Sequence, residues 1–227
     1  MHILIAVALL LIILFGPNLW VQAVLRRHAK LRTDMAGSGG EFARHLLNQL
    51  HMDKVGVELT DKGDHYDPVS KTVRLEKGRL EGKSLTAMVV AAHEVGHALQ
   101  DKLGYSPLRW RSRLATVAQA AQQLGNVLFI LAPIVTGLTR APSVAAIMLL
   151  AVIASFGSAA LLHLITLPVE WDASFRRALP LLEAGHYLSE NDQAAARQIL
   201  TAAAFTYVAA SLASLLNLWR WLRWLRR

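Results

Sequence analysis

The sequence predicts a mainly α-helical integral membrane protein, with three to four transmembrane helices and a small α+β segment outside the bilayer. Three observations predict it. Hydrophobic residues make up 54% of the 227 positions and charged residues only 18%, against about 25% charged in an ordinary soluble domain. Uncharged stretches of about 20 residues, the length that crosses a hydrocarbon core, recur along the chain. Between the first two of them lies a polar region whose hydrophobic period switches between that of a helix and that of a strand. The mean hydropathy is +0.34.

The first stretch, 3–25, is apolar apart from Gly16, Pro17 and Asn18. It has no basic residues ahead of it and no small-residue cleavage pattern behind it, so it reads as a retained anchor rather than a signal peptide. Arg26, Arg27, Lys30 and Arg32 follow it, and Arg109, Arg111 and Arg113 precede the second span. Basic residues packed against apolar spans mark the cytoplasmic side. The expected protein is therefore a multi-pass cell-membrane protein with its N-terminus outside and its polar segment in the cytoplasm. The same placement accounts for the net charge of +8 without nucleic acid, for which the chain carries no motif. With no cysteine, disulfides, thiolate ligands and cysteine nucleophiles are excluded.

Within the polar region, 26–113, a helix is expected over 37–52, capped by Ser38, with Phe42, Leu46, Leu47 and Leu50 at helical spacing. Val55–Leu59 and Lys71–Leu75 alternate as strands across a turn-forming stretch, 60–64, and predict a small antiparallel hairpin or meander. A second helix is expected over 84–103, capped by Ser84 and stopped by Gly104. The region 114–167 predicts a transmembrane hairpin: spans 114–138 and 144–167 joined by a tight turn at Arg140-Ala141-Pro142. Gln119, Gln122, Gln123 and Asn126 form one polar stripe on the first of these, read as packing within the helix bundle. A segment over 168–198 follows. The C-terminal part, 199–227, is a fourth span or an interfacial helix, with Trp219, Trp221 and Trp224 at the interface belt and an arginine-rich tail.

One motif carries chemistry. Residues 91–100 read Ala-Ala-His-Glu-Val-Gly-His-Ala-Leu-Gln, an H-E-x-x-H on a predicted helix. Side chains four apart stack on one helical face, so His93 and His97 can reach a single metal ion. Glu94 beside them is placed to take a proton from an attacking water, as the general base of a zinc hydrolase. A catalytic zinc ion takes a third protein ligand, a later His or a carboxylate. The H-E-x-x-H-x-x-G-x-x-H extension is absent, because Gln100 and Leu103 stand where Gly and His would fall. Glu170 is the candidate, since a hairpin of spans two and three returns it to the side of the membrane that carries His93. In the Asp64–Pro68 segment, His65 or Tyr66 are candidate oxyanion donors, with a plain turn the favoured reading. The strand ending at Leu75 is a candidate edge for β-addition of a peptide.

Three segments taken together, Asp64-His65-Tyr66-Asp67-Pro68 with the strand after it, Ala92 to Gln100, and Leu167-Pro168-Val169-Glu170-Trp171-Asp172-Ala173-Ser174, resemble the YugP-like family of neutral zinc metallopeptidases, which are membrane gluzincins. The resemblance runs to about residue 180. It implies a gluzincin-like catalytic segment, a Zn²⁺ cofactor with two His and one Glu as ligands, Glu mapping to Glu170, and a membrane endopeptidase acting on peptides or membrane proteins. Related gluzincins carry Asp four residues after the ligand Glu, where this chain has Ser174, so the partner of the metal-binding histidine differs. An inactive zinc-binding membrane scaffold is the alternative, disfavoured by the presence of Glu94. A transporter is disfavoured by spans nearly free of ionisable residues.

Overall fold

A computed structural model describes residues 2–225, without the side chains of 2–10, 13, 14, 145, 156, 159–161, 163, 164, 207 and 209–225. The elements are α1 (His2–Arg27), α2 (Gly39–Gln49), β1 (Gly56–Thr60), β2 (His65–Asp67), β3 (Thr72–Glu76), α3 (Lys77–Leu80), α4 (Leu85–Lys102), α5 (Ser106–Thr139) and α6 (Pro142–Trp171). A π-helical segment, Asp172–Ala178, continues α6 without a break into α7 (Leu179–Ala184), and α8 (Glu190–Leu225) ends the fold. The protein is thus mostly helical with one small sheet.

The chain divides into two compact units. One holds 18–109 and 167–206; the other holds 1–17, 110–166 and 207–227.

In the first unit, α2 starts where the sequence places its cap. Ser38 Oγ accepts from Glu41 N while Glu41 Oε2 accepts from Ser38 N, a reciprocal capping box. Phe42, Ala43, Leu46 and Leu47 recur every three to four residues and are buried. They join Leu85, Val89 and Ala92 of α4 in one core with Val73 and Leu75 of β3. Ser84 caps α4 through Ala87 N, and Gly104, at φ +66°, supplies the left-handed residue that ends it.

The sheet differs from the expected antiparallel hairpin. β1 pairs with β3 in parallel, and only β2 pairs with β3 antiparallel, in the order β1-β3-β2. Two alternating runs close in sequence resemble a hairpin, but three residues of the intervening stretch, His65–Asp67, take the antiparallel place beside β3. Consequently β3 is central, and β1 and β2 are the edges. Asp67 then makes the turn before β3, accepting from Val69 N at 2.9 Å and from Ser70 Oγ at 2.8 Å.

In the second unit, α5 and α6 follow each other across Arg140 and Ala141, with Arg140 in a left-handed conformation (φ 48°). Small residues bring the two helices together: a Cβ at Gly125 would lie 2.5 Å from Ser155 Cβ, and Ala118, Val152 and Ser155 are buried. The amide stripe of Gln119, Gln122, Gln123 and Asn126 is exposed instead. Packing therefore uses the small-residue face rather than the polar one. Among the described residues, one helix, Ser106–Thr139, is long and apolar enough to cross a membrane. The expected spans over 3–25, 144–167 and 199–219 are helical, but many of their side chains, including those of Trp219, Trp221 and Trp224, lie outside the described residues.

Candidate metal centre

His93 and His97 project from α4 one turn apart, with ring centroids 4.8 Å apart and planes at 81°. Glu170 comes from the end of α6. Its Oε2 lies 3.2 Å from His93 Nε2 and 3.2 Å from His97 Nε2. One donor atom from each of the three lies within 4.8 Å of the others, and all three residues are buried, Glu170 at 0% exposure. Glu94 follows His93 on α4 and is buried as well. The structure therefore brings the three expected ligands to one point, 73 and 77 residues apart in sequence, with the expected base adjacent on the same helix.

Close approach of backbone makes this meeting possible. A Cβ at Gly96 would stand 2.7 Å from the Ala173 carbonyl oxygen and 3.3 Å from Arg177 Cβ. Only glycine lets α4 and the π-helical segment approach so closely. That segment is itself a rare form that favours functional sites. It begins four residues after Pro168, which lacks an N–H and disturbs the α ladder. Its wider turn stacks residues five apart, and Arg177 Nε donates to Asp172 Oδ2 at 3.2 Å.

The outer nitrogens of both imidazoles are engaged. Ser174 Oγ lies 3.0 Å from His93 Nδ1 and donates to the Leu200 carbonyl at 3.3 Å. Gln100 Oε1 lies 3.0 Å from His97 Nδ1, while Gln100 Nε2 donates to Val169 O at 2.9 Å and to Asp172 Oδ2 at 2.8 Å. Ser174 thus gives His93 a neutral hydroxyl partner. Asp172 stands two residues past the expected ligand Glu170, at a helical position that does not face it, whereas Gln100 is a site residue that the motif itself does not mark. The available signal was a glutamine three residues after His97, on the same helical face.

Burial alone would push the Glu170 carboxyl up, but the two imidazoles outweigh it and hold the group well below the usual carboxylate range. Two imidazole nitrogens and a carboxylate converging in a dry site form the donor set of a zinc ion. The convergence of lone pairs is costly without a positive charge among them. The residues present fit the metal.

Of the other candidates, Tyr66 donates its hydroxyl to Asp101 Oδ2 at 2.7 Å, and His65 Nδ1 meets the Gly63 carbonyl at 2.8 Å. Both are committed to holding the turn region, in line with the plainer reading. The Thr72–Leu75 strand cannot take a peptide at its edge, since both its sides are paired. A cavity of about 620 Å³ lined by Phe42, His45, Met88 and Tyr187, among others, shares no residue with the cluster.

Comparison with known proteins agrees with this donor set. The family model described as "Putative neutral zinc metallopeptidase" matches residues 3–226. The chain is 34% identical over 214 residues to the "Putative membrane protease YugP" of Bacillus subtilis (strain 168), covering 90% of each chain. No solved structure matches. Zinc is the metal of this family, and among the described residues His93, His97 and Glu170 form a group that could hold a metal ion. The match over nearly the whole length, together with the convergence of these three side chains, means that the chain belongs to the "Putative neutral zinc metallopeptidase" family.

Proposed function

We propose that the protein is a membrane-bound zinc endopeptidase in which His93, His97 and Glu170 hold the metal and Glu94 is the general base. The observation that carries this reading is the meeting of Glu170 Oε2 with both Nε2 atoms at 3.2 Å, on the helix that also carries the buried Glu94. When bound, zinc polarises the scissile carbonyl and lowers the pKa of a coordinated water toward about 7. The chain's own residues do the rest. Glu94 accepts the proton of the attacking water and returns it to the leaving amine nitrogen, the two proton transfers that amide hydrolysis requires. The buried walls exclude bulk water and strengthen each electrostatic contact. A peptide that adds to the sheet must use the outer edge of β1 or β2, reading backbone more than side chain.

The substrates in this reading are peptides or membrane proteins presented near the bilayer. Multi-pass insertion with the metal centre on the cytoplasmic side is supported by the basic residues that flank the apolar stretches, Arg26 to Arg32 and Arg109 to Arg113, and by the apolar length of α5.

The test is cleavage of casein or a fluorogenic peptide library by detergent-purified protein, wild type beside Glu94→Gln. The expected result is cleavage by wild type, abolished by chelator and restored by zinc, and a loss of at least about 10²-fold in Glu94→Gln, the scale of general-base catalysis, with zinc retained. Equal cleavage by the two proteins would remove Glu94 from the mechanism. Zinc retained by both with cleavage by neither would favour the scaffold.

A further inference from the structure

His93 and His97 turn the same atom, Nε2, toward Glu170, yet their outer nitrogens rest on different chemistry. We propose that Gln100 is a positioning residue that anchors the His97 ring through Nδ1–H and leaves Nε2 to face the metal position, and that the Val169 carbonyl and Asp172 fix the amide that does so. This rests on the zinc-site reading above and names what orients one ligand.

An amide has two N–H donors and one acceptor oxygen. Gln100 spends both donors, on Val169 O at 2.9 Å and on Asp172 Oδ2 at 2.8 Å. The reversed amide would set its oxygen against a carbonyl and a carboxylate, in a side chain with 0% exposure. Two unpaired acceptors facing a third in a dry interior are strongly unfavourable. Gln100 Oε1 is therefore the atom that faces His97 Nδ1 at 3.0 Å, and only an N–H there satisfies it. With Nδ1 donating there, Nε2 is the ring nitrogen left to face the metal position. That is the atom 3.2 Å from Glu170 Oε2. Arg177 Nε donates to the same Asp172 oxygen that Gln100 uses, so the far end of the relay is anchored by an ion pair.

His93 has no such instruction. Its partner, the Ser174 hydroxyl, has one rotatable hydrogen and can donate or accept, with the Leu200 carbonyl at 3.3 Å as its other choice. The two ligands are thus unequal. His97 is anchored by a fixed acceptor, and His93 rests on a hydroxyl that can turn.

The experiment has two readouts that need no turnover. First, the ring ¹⁵N and ¹H shifts of His97 are recorded in zinc-loaded wild type. A hydrogen-bonded Nδ1 proton, with Nε2 on the metal side, is expected; a ring that ligates through Nδ1 would overturn the proposal without any variant. Second, zinc affinity is measured by chelator competition for wild type and Gln100→Met, an apolar side chain of similar length, with the His97 ring shifts recorded for both. Gln100→Met should bind zinc about 10- to 100-fold more weakly, the usual cost of losing such a partner, and should lose the signal of a hydrogen-bonded Nδ1 proton. Unchanged affinity in Gln100→Met would mean that Gln100 only fills space. If wild type itself takes up no zinc, the zinc-site reading falls and the role of Gln100 falls with it, an outcome distinct from the others.

Discussion

Two buried glutamates share this site, and their neighbours separate their roles. Glu170 sits at 3.2 Å from two imidazole nitrogens and is held ionised by them despite its burial. Replacing it with alanine removes one of three ligands, and zinc affinity should fall by at least about 10²-fold in a chelator titration, beyond the range for an outer partner. The group of converging donor atoms is His93, His97 and Glu170, and Glu94 is read as the base beside it, so Glu94→Gln should leave the same titration unchanged. At this scale the sequence was informative. H-E-x-x-H fixes three residues by helical spacing alone, and Glu170 follows from the expected return of the chain after a helical hairpin. What the sequence left open was the support of the histidines. Hydrogen bonds from Gln100 to Asp172 and from Ser174 to Leu200 depend on tertiary placement, which no local period encodes.

Among the elements, α4 and the π-helical segment are held together by the absence of a side chain at Gly96. Gly96→Ala would press a methyl group against the Ala173 carbonyl at 2.7 Å. Backbone on both sides must move, at a cost of about 1–3 kcal/mol, and thermal unfolding of the purified protein should show it as a lower midpoint together with weaker zinc binding. In the sheet, the Arg74 guanidinium, 2.7 Å from Asp67, holds the Asp67 carboxyl well below the usual carboxylate range. A folded-state pKa depressed in this way contributes stability that is complete above the unfolded value of about 4 and is lost as the pH falls through and below it. Metal-free Asp67→Asn should therefore unfold more easily than wild type near neutral pH, by about 1 kcal/mol, and the difference should close in acid. The helices were legible because caps and spacing are local: Ser38, Ser84 and Gly104 mark ends that the structure keeps. The sheet was not. Parallel pairing of β1 with β3 is a non-local choice, and the three-residue strand β2 is too short to show a period. The π-helical turn has no sequence signature beyond Pro168 ahead of it.

Over the whole chain, apolar length and basic flanks predicted a membrane protein, and α5 has the length and character of a span. The expected amide stripe on that helix turned out to be exposed, with Ala118 and Gly125 making the close approach instead. A polar stripe and a small-residue stripe lie on adjacent faces of one helix, and sequence periodicity alone does not say which one packs. If the chain is inserted as proposed, it should remain in the pellet after alkaline carbonate extraction and dissolve only in detergent; release by carbonate would contradict insertion. Gly125→Leu should disturb the α5–α6 contact, because its side chain would meet Ser155, and should lower the detergent-solubilised unfolding midpoint.

The most direct measurement is zinc content by mass spectrometry of detergent-purified protein, wild type beside the double variant His93→Ala with His97→Ala. The account predicts about one zinc per wild-type chain, as a single mononuclear site requires, and none in the variant. A wild-type protein that stays free of zinc after supplementation, or a variant that binds it equally, would contradict the assignment of His93, His97 and Glu170 as its site.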